Sequence, residues 1–292
     1  MTEQASMFMR DGYLVLGAFF DTAECRTLQS EVERRLATPY PPGCERPNNT
    51  LVPVRWSDPI VDMMMSGAGR QARLRSAVQA LDLRWISAYI SVKEAQSPPL
   101  WWHQDWWAWG HPVSFLNKAP QVAVLCYINT TEKHTGALRV LPGSHHRSHP
   151  LHHVLPEAHG PEAGSLPPEH PALADDPDQV TLSVTPGTAV VLDYRLLHGT
   201  HPNAGDVRRD CVMFTFAPSW RSLPDDVRAH LIRHPALPQG ADDVAGVAWK
   251  DALPSYAGAR RDLPLNRVPP SKFQAGRRRQ AGRRRIGDSS TG

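Results

Sequence analysis

The sequence predicts a mainly β protein with flanking helices, built around a sandwich or jelly roll, and three observations predict it. Residues 85–93, 121–129, 137–141, 180–184, 188–192 and 209–217 are short β-branched or apolar runs. Turn formers such as Pro98-Pro99, Pro142-Gly143 and Pro186-Gly187 bound most of them. No helical pattern intervenes between successive runs, which argues against alternating βαβ units. Finally, 28 prolines and 20 glycines in 292 residues suit a loop-rich β fold better than a helix bundle.

The elements follow in chain order. Gly12 to Leu16 is a short apolar run and reads as an opening strand, followed by Phe19-Phe20. Asp21 stands as a helix N-cap with Glu24 three residues on, the spacing of a capping box. Cys25, Leu28, Val32 and Leu36 then fall on one helical face and carry the helix to about Leu36. Residues 38–50 read as loop. Residues 59–65 and 70–81 read as helices, the second burying Leu74, Ala77, Val78 and Leu81. Residues 145–178 form a long loop rich in His, Pro and acids, expected to act as a lid. Residues 221–270 mix short helical pieces with prolines and complete a single domain of residues 1–270. The Arg-rich segment 271–292 has nothing to bury and is expected to be a disordered tail.

Composition removes several function classes. Hydrophobic residues make up 41% of the chain and charged residues 21%, enough to bury a core. No apolar run approaches the ~20 residues of a membrane helix, and no secretory signal opens the chain, so the expected setting is cytoplasmic with no membrane partner. Four widely spaced cysteines, Cys25, Cys44, Cys126 and Cys211, fit reduced thiols better than a disulfide framework. The formal charge of +3 divides unevenly. Seven of the 32 basic residues and one of the 29 acids lie in residues 271–292, leaving the tail at +6 and the body at −3. Two Arg triplets keep a nucleic-acid-binding reading in view. The acidic body and the absence of a recognition helix or stacking module weigh against it.

Chemistry concentrates in two places. In Trp101-Trp102-His103-Gln104-Asp105, a strand would turn His103 and Asp105 to the same face, offering an imidazole and a carboxylate to a divalent metal. Downstream, Pro186-Gly187 turns into an apolar strand that leads to Leu197-His198-Gly199-Thr200, a turn at Asn203, and a returning strand carrying Arg208 and Arg209. A single histidine at a strand end is by default structural. A basic residue on the paired strand shifts that weighing, since a dicarboxylate co-substrate could be anchored there.

His103-Gln104-Asp105, Gly136-Ala137-Leu138 running into Pro142-Gly143-Ser144-His145, Pro186-Gly187 before a strand, His198-Gly199-Thr200, Asn203 and Arg209 occur in that order. Together they resemble the phytanoyl-CoA dioxygenase family of Fe(II)/2-oxoglutarate-dependent oxygenases, over roughly residues 8 to 220. The resemblance implies a double-stranded β-helix, a cupin-like jelly roll, with Fe(II) held at its mouth by His103, Asp105 and His198. It implies 2-oxoglutarate and O2 as co-substrates and a small molecule as substrate, oxidised with release of succinate and CO2. Arg209 would hold the distal carboxylate through a bidentate fork, and Thr200 would add a hydroxyl. Arg208 is the competitor, because a one-residue slip reverses the face. Tyr89 and Lys93 are further candidates on strand 85–93.

Related halogenases replace the carboxylate by a small residue, so Asp105 points to hydroxylation. Desaturation, epimerisation or ring formation share the same opening hydrogen abstraction, and a jelly-roll binding protein without turnover is a lower alternative. Trp106 or Trp107 is expected to wall the substrate pocket. The histidines at 145, 146, 149, 152, 153 and 159 are weighed as a second metal site and disfavoured, because their spacing fits no zinc pattern. No basic patch of the body reads as a cradle for an acyl-CoA. Oligomeric state is not legible.

Overall fold

The computed structural model describes residues 2–38, 47–158, 160–239, 244 and 247–269; the expected tail at 271–292 lies outside them, as do Cys44 and His159. Helix α1 (Glu3–Asp11) starts behind Thr2, whose hydroxyl accepts the Ala5 N–H at 3.2 Å, and buries only Ala5 and Phe8. That thin apolar signal explains why the sequence did not announce it. Strand β1 (Tyr13–Leu16) follows, then α2 (Thr22–Leu36) with both halves of the Asp21–Glu24 capping box formed and Cys25, Leu28, Val32 and Leu36 buried. Strand β2 (Asn49–Val54) was read as loop in its first residues. It contains Pro53 and sits at a sheet edge, where a missing N–H is tolerated. Helices α3 (Pro59–Ser66) and α4 (Ala68–Ala77) come next. The expected continuation of α4 to 81 fails: the chain turns at Gln79, with φ +50°, and Leu81 is exposed.

The remaining strands are β3 (Arg84–Lys93), β4 (Leu100–His103), β5 (Val122–Tyr127), β6 (Leu138–Val140), β7 (Val180–Leu182), β8 (Ala189–Asp193), β9 (His198–Thr200) and β10 (Arg209–Ala217). They form two antiparallel sheets, β1-β8-β5-β10-β3-β2 and β4-β9-β6-β7, which is the jelly roll. Helix α5 (Asp225–Leu231) follows β10. Among the described residues no helix is long and apolar enough to cross a membrane.

Period-2 alternation divides the burial. Val212, Phe214 and Phe216 of β10 join Val122, Val124 and Cys126 of β5 in a core beneath the helices. Cys211 and Met213 instead join Leu125, Tyr127, Leu138 and Val140 between the two sheets. The alternation also assigns the neighbouring arginines. Arg209 lies on the inter-sheet side and is 4% exposed, whereas Arg208 lies outside and pairs with Asp210 and Glu33, each at 2.8 Å.

The loop 145–178, read from the sequence as a lid, meets the smaller sheet where it is described. Its far end is pinned to the outer face of the smaller sheet. Trp102 donates from its backbone N–H to Ala172 O at 2.7 Å and from its indole to Ala174 O at 2.9 Å. Arg139, fully buried, donates to Ala174 O and Leu173 O while its guanidinium lies 4.5 Å from the Trp102 ring. Trp102, Leu141 and Leu197 are buried in one apolar cluster with Leu151, which the loop supplies.

Candidate metal centre

Strands β4 and β9 pair with His103 opposite His198. The approach is close: a Cβ on Gly199 would stand 2.8 Å from Leu100 O and 2.9 Å from Trp101 O, so only glycine lets the two histidine strands meet. The imidazole centroids are 4.2 Å apart. Asp105, just past the end of β4, reaches both rings, with Oδ1 3.7 Å from His103 Nε2 and Oδ2 3.6 Å from His198 Nε2. The three donor atoms lie within 4.8 Å of one another.

The ring orientations suit metal ligation. His103 Nδ1 sits 2.9 Å from Trp101 O, and His198 Nδ1 sits 3.0 Å from Leu196 O. A carbonyl only accepts, so each Nδ1 carries the hydrogen and each Nε2 turns a lone pair toward Asp105. Gln104, facing the other way, donates to Arg195 O and anchors the strand between the two donors.

Arg209 begins β10 opposite Lys93 of β3. Among the described residues its Nε has no hydrogen-bond partner, and its guanidinium lies 5.8 Å from the centroid of the Tyr127 ring. Lys93 is fully buried and donates to Pro98 O at 2.7 Å and Asn49 Oδ1 at 3.3 Å. Burial, then the charges of Arg209 and Arg139, push its ammonium down to about 7. Gly136, at φ +81°, leaves room for that side chain, since a Cβ there would lie 2.6 Å from Lys93 Cδ. Thr200 is on the His198 face of β9, and its hydroxyl accepts the Leu100 N–H at 3.3 Å. A buried guanidinium with an unpartnered Nε, beside a buried lysine, is a ready site for an anion.

A cavity of about 450 Å³ opens beside Asp105, walled by Tyr89, Trp107, Tyr194, Met213 and His230. Of the two tryptophans weighed, Trp107 lines it. Trp106 does not: it is fully buried and donates to Ser114 Oγ at 2.8 Å. Tyr89 also lines the cavity and shares a 3.0 Å hydrogen bond with His234, whose ring burial and His230 hold down to about 4. In the histidine-rich loop His145 and His146 pack against each other, with ring centroids 4.0 Å apart. Among its described residues, His149 groups with two acids, Asp176 and Asp178. Its Nδ1 accepts the Leu151 N–H, which leaves Nε2 as the hydrogen-bearing atom facing Asp176 and makes it a capping group. Sequence reasoning missed His230, Arg233, Asp262 and Arg267 of the cavity wall, because no motif marks them and only the density of charged residues after Asp225 hinted at a site.

A jelly roll presenting two imidazoles and one carboxylate to a single point has the facial donor set of the non-haem iron oxygenases, and that is the class the fold and site define. Residues 8–211 match the phytanoyl-CoA dioxygenase family, and the chain belongs to it. It is 27% identical over 221 residues to an ectoine dioxygenase of Sphingopyxis alaskensis, covering 68% of this chain and 70% of that one. Its fold is shared with HygX of Streptomyces hygroscopicus, solved with nickel and 2-oxoglutarate bound (22% identity, TM-score 0.58, 75% of this chain and 87% of that one). It is shared equally with SnoN, the non-heme alpha ketoglutarate dependent epimerase from nogalamycin biosynthesis (19% identity, TM-score 0.57, 90% and 96%).

Proposed function

We propose that this dioxygenase uses Fe(II), 2-oxoglutarate and O2 to hydroxylate a small molecule, with His103, Asp105 and His198 as the iron ligands. The observation that carries this reading is the convergence of two Nε2 lone pairs and a carboxylate at one point at the edge of the cavity. Bound iron would supply O2 activation coupled to decarboxylation of 2-oxoglutarate to succinate and CO2, and hydrogen abstraction from the substrate. The chain's own part is positioning. The carbonyls of Trp101 and Leu196 fix the two rings. Arg209, with Lys93 across the strand pair, holds the distal carboxylate of 2-oxoglutarate, and the unpartnered Arg209 Nε supports that role. Thr200 contributes a hydroxyl beside His198. Trp107 and Tyr89 wall the reacting face and limit water.

Asp105 supplies the third protein ligand, which favours hydroxylation over halogen transfer. Epimerisation, desaturation and ring formation begin from the same abstraction and differ in what happens to the substrate afterwards. The buried free thiols Cys25, Cys126 and Cys211 suit a reducing cytoplasm.

The test is an anaerobic titration of the Fe(II)-loaded protein with 2-oxoglutarate, following the metal-to-ligand charge-transfer band in the visible. A band is expected that vanishes in His198→Ala and needs far more 2-oxoglutarate in Arg209→Ala. No band in folded, iron-loaded protein would reject the assignment.

A further inference from the structure

The wall of the cavity opposite the jelly roll comes from residues beyond the family match, which ends at 211. The segment carrying Arg267 is laced to the strand end that carries Asp105. Asn266 N donates to Trp107 O at 2.8 Å, and Trp109 N donates to Asn266 O at 3.0 Å. Arg267 Nη1 then donates to the backbone carbonyl of Asp105 itself, at 3.2 Å. Its guanidinium is therefore held at the cavity on the backbone carbonyl of a proposed iron ligand.

Of the other charged groups lining the cavity, Asp105 belongs to the proposed iron site, and those after Asp225 pair with one another. Arg233 pairs with Asp262, and His230 Nδ1 lies 3.4 Å from the same carboxylate. Burial lowers His230 and holds His234 down to about 4. No carboxylate side chain pairs with Arg267 among the described residues, and the Asp105 carbonyl is its one hydrogen-bond acceptor there. Its charge is felt by Tyr89 and Tyr194 across the space, where it opposes the burial that raises both phenols. Among the described residues the Nε–Nη2 edge of the guanidinium has no acceptor, and that planar fork matches a carboxylate. Beside it, Trp107, Met213 and Leu231 offer apolar surface.

We propose that Arg267 is the specificity-determining residue of this enzyme, and that the substrate is an organic carboxylate whose apolar or aromatic part rests on Trp107 and Met213. The proposal rests on the oxygenase reading above for the fate of the substrate, and the binding claim can be tested separately. Protein loaded with Fe(II) and 2-oxoglutarate is titrated calorimetrically, without O2, with three acid–amide pairs: phenylacetate and phenylacetamide, indole-3-acetate and indole-3-acetamide, hexanoate and hexanamide.

At least one acid should bind the parent protein about tenfold or more tightly than its amide, the scale of one charge-assisted pair. Arg267→Gln should bring the two partners of that pair to equal affinity, and Arg267→Lys should keep a reduced preference. The proposal is overturned by three pairs without preference or without binding, or by a preference that survives in Arg267→Gln. An acid affinity in Arg267→Lys equal to the parent's would overturn it as well, and this arm decides if the Gln variant does not fold. Loss of the charge-transfer band in folded Arg267→Gln would also overturn it, assigning the residue to the ligand segment. A parent protein with the acid preference but no band would sink the oxygenase reading and leave the carboxylate site standing.

Discussion

Two buried arginines of this chain stand in opposite electrostatic conditions. Arg195 is fully enclosed, and nearly every arm of its guanidinium is occupied. It takes both oxygens of Asp193, at 2.9 and 2.6 Å, and the carbonyls of Ser114 and Leu116. Burial alone would raise Asp193, yet Arg195 holds its carboxyl below the usual range. Arg209 is almost as buried, but its Nε is unpartnered, it faces Lys93, and the acid next to it in sequence turns outward to Arg208. A closed pair is a brace, here joining the end of β8 to the segment before β5 and, through Gln104, to the ligand strand. An open cation at equal depth is a liability to the unliganded fold, and it makes sense as half of a contact that an anion completes.

Three experiments can break or sharpen that contrast. The largest effect should come from Asp193→Ala, which strands Arg195 as an unpaired buried charge. A loss of about 3–5 kcal/mol is expected by chemical denaturation, and a loss below about 1 kcal/mol would mean that the brace does not hold the fold. Arg209→Gln should behave in the opposite sense, with unfolding stability equal to or above the parent's. Its affinity for 2-oxoglutarate should fall by about 1.5–3 kcal/mol, roughly ten- to a hundredfold. Clear destabilisation without an affinity change would turn Arg209 into a second brace.

The smallest effect concerns a proton. Lys93 has its pKa lowered to about 7 in the fold, against an ordinary 10.5. The folded, unliganded protein therefore binds fewer protons than the unfolded chain between these values, and Lys93 makes stability rise with pH across that window. A bound carboxylate restores the ammonium, so 2-oxoglutarate binding at pH 8.5 should take up a proton and weaken as pH rises. Calorimetry in buffers of different ionisation enthalpy measures the uptake, and none at pH 8.5 would separate Lys93 from the anion site.

Much of the centre was legible because its chemistry is local in sequence. His103 and Asp105 share a segment, Gly199 adjoins His198, and alternation along β10 distinguishes Arg209 from Arg208. The Asp21–Glu24 box likewise announced α2. What stayed hidden depends on contacts made far along the chain. Arg267 gains its meaning from the carbonyl of Asp105, a separation of 162 residues. The loop 145–178 reads as a lid by length and polarity, but the apolar patch around Trp102 decides where it lies. Leu81 completes a helical face on paper, and the turn at Gln79 releases it to solvent.

The division of labour along the chain bears on how such an enzyme changes its diet. The proposed metal and co-substrate groups all fall between Lys93 and Arg209, on strands or, for Asp105, just past one, where a one-residue slip would reverse every side chain. The outer wall falls after Asp225, on a short helix and connecting segments. There, doubling the length of a loop costs only about 0.6 kcal/mol of closure entropy. Insertions and exchanges between residues 231 and 262 can therefore reshape the chamber while the strands that carry the oxidation chemistry keep their registers. The proposed oxidation chemistry and the outer wall of the chamber thus sit on separate stretches of the chain.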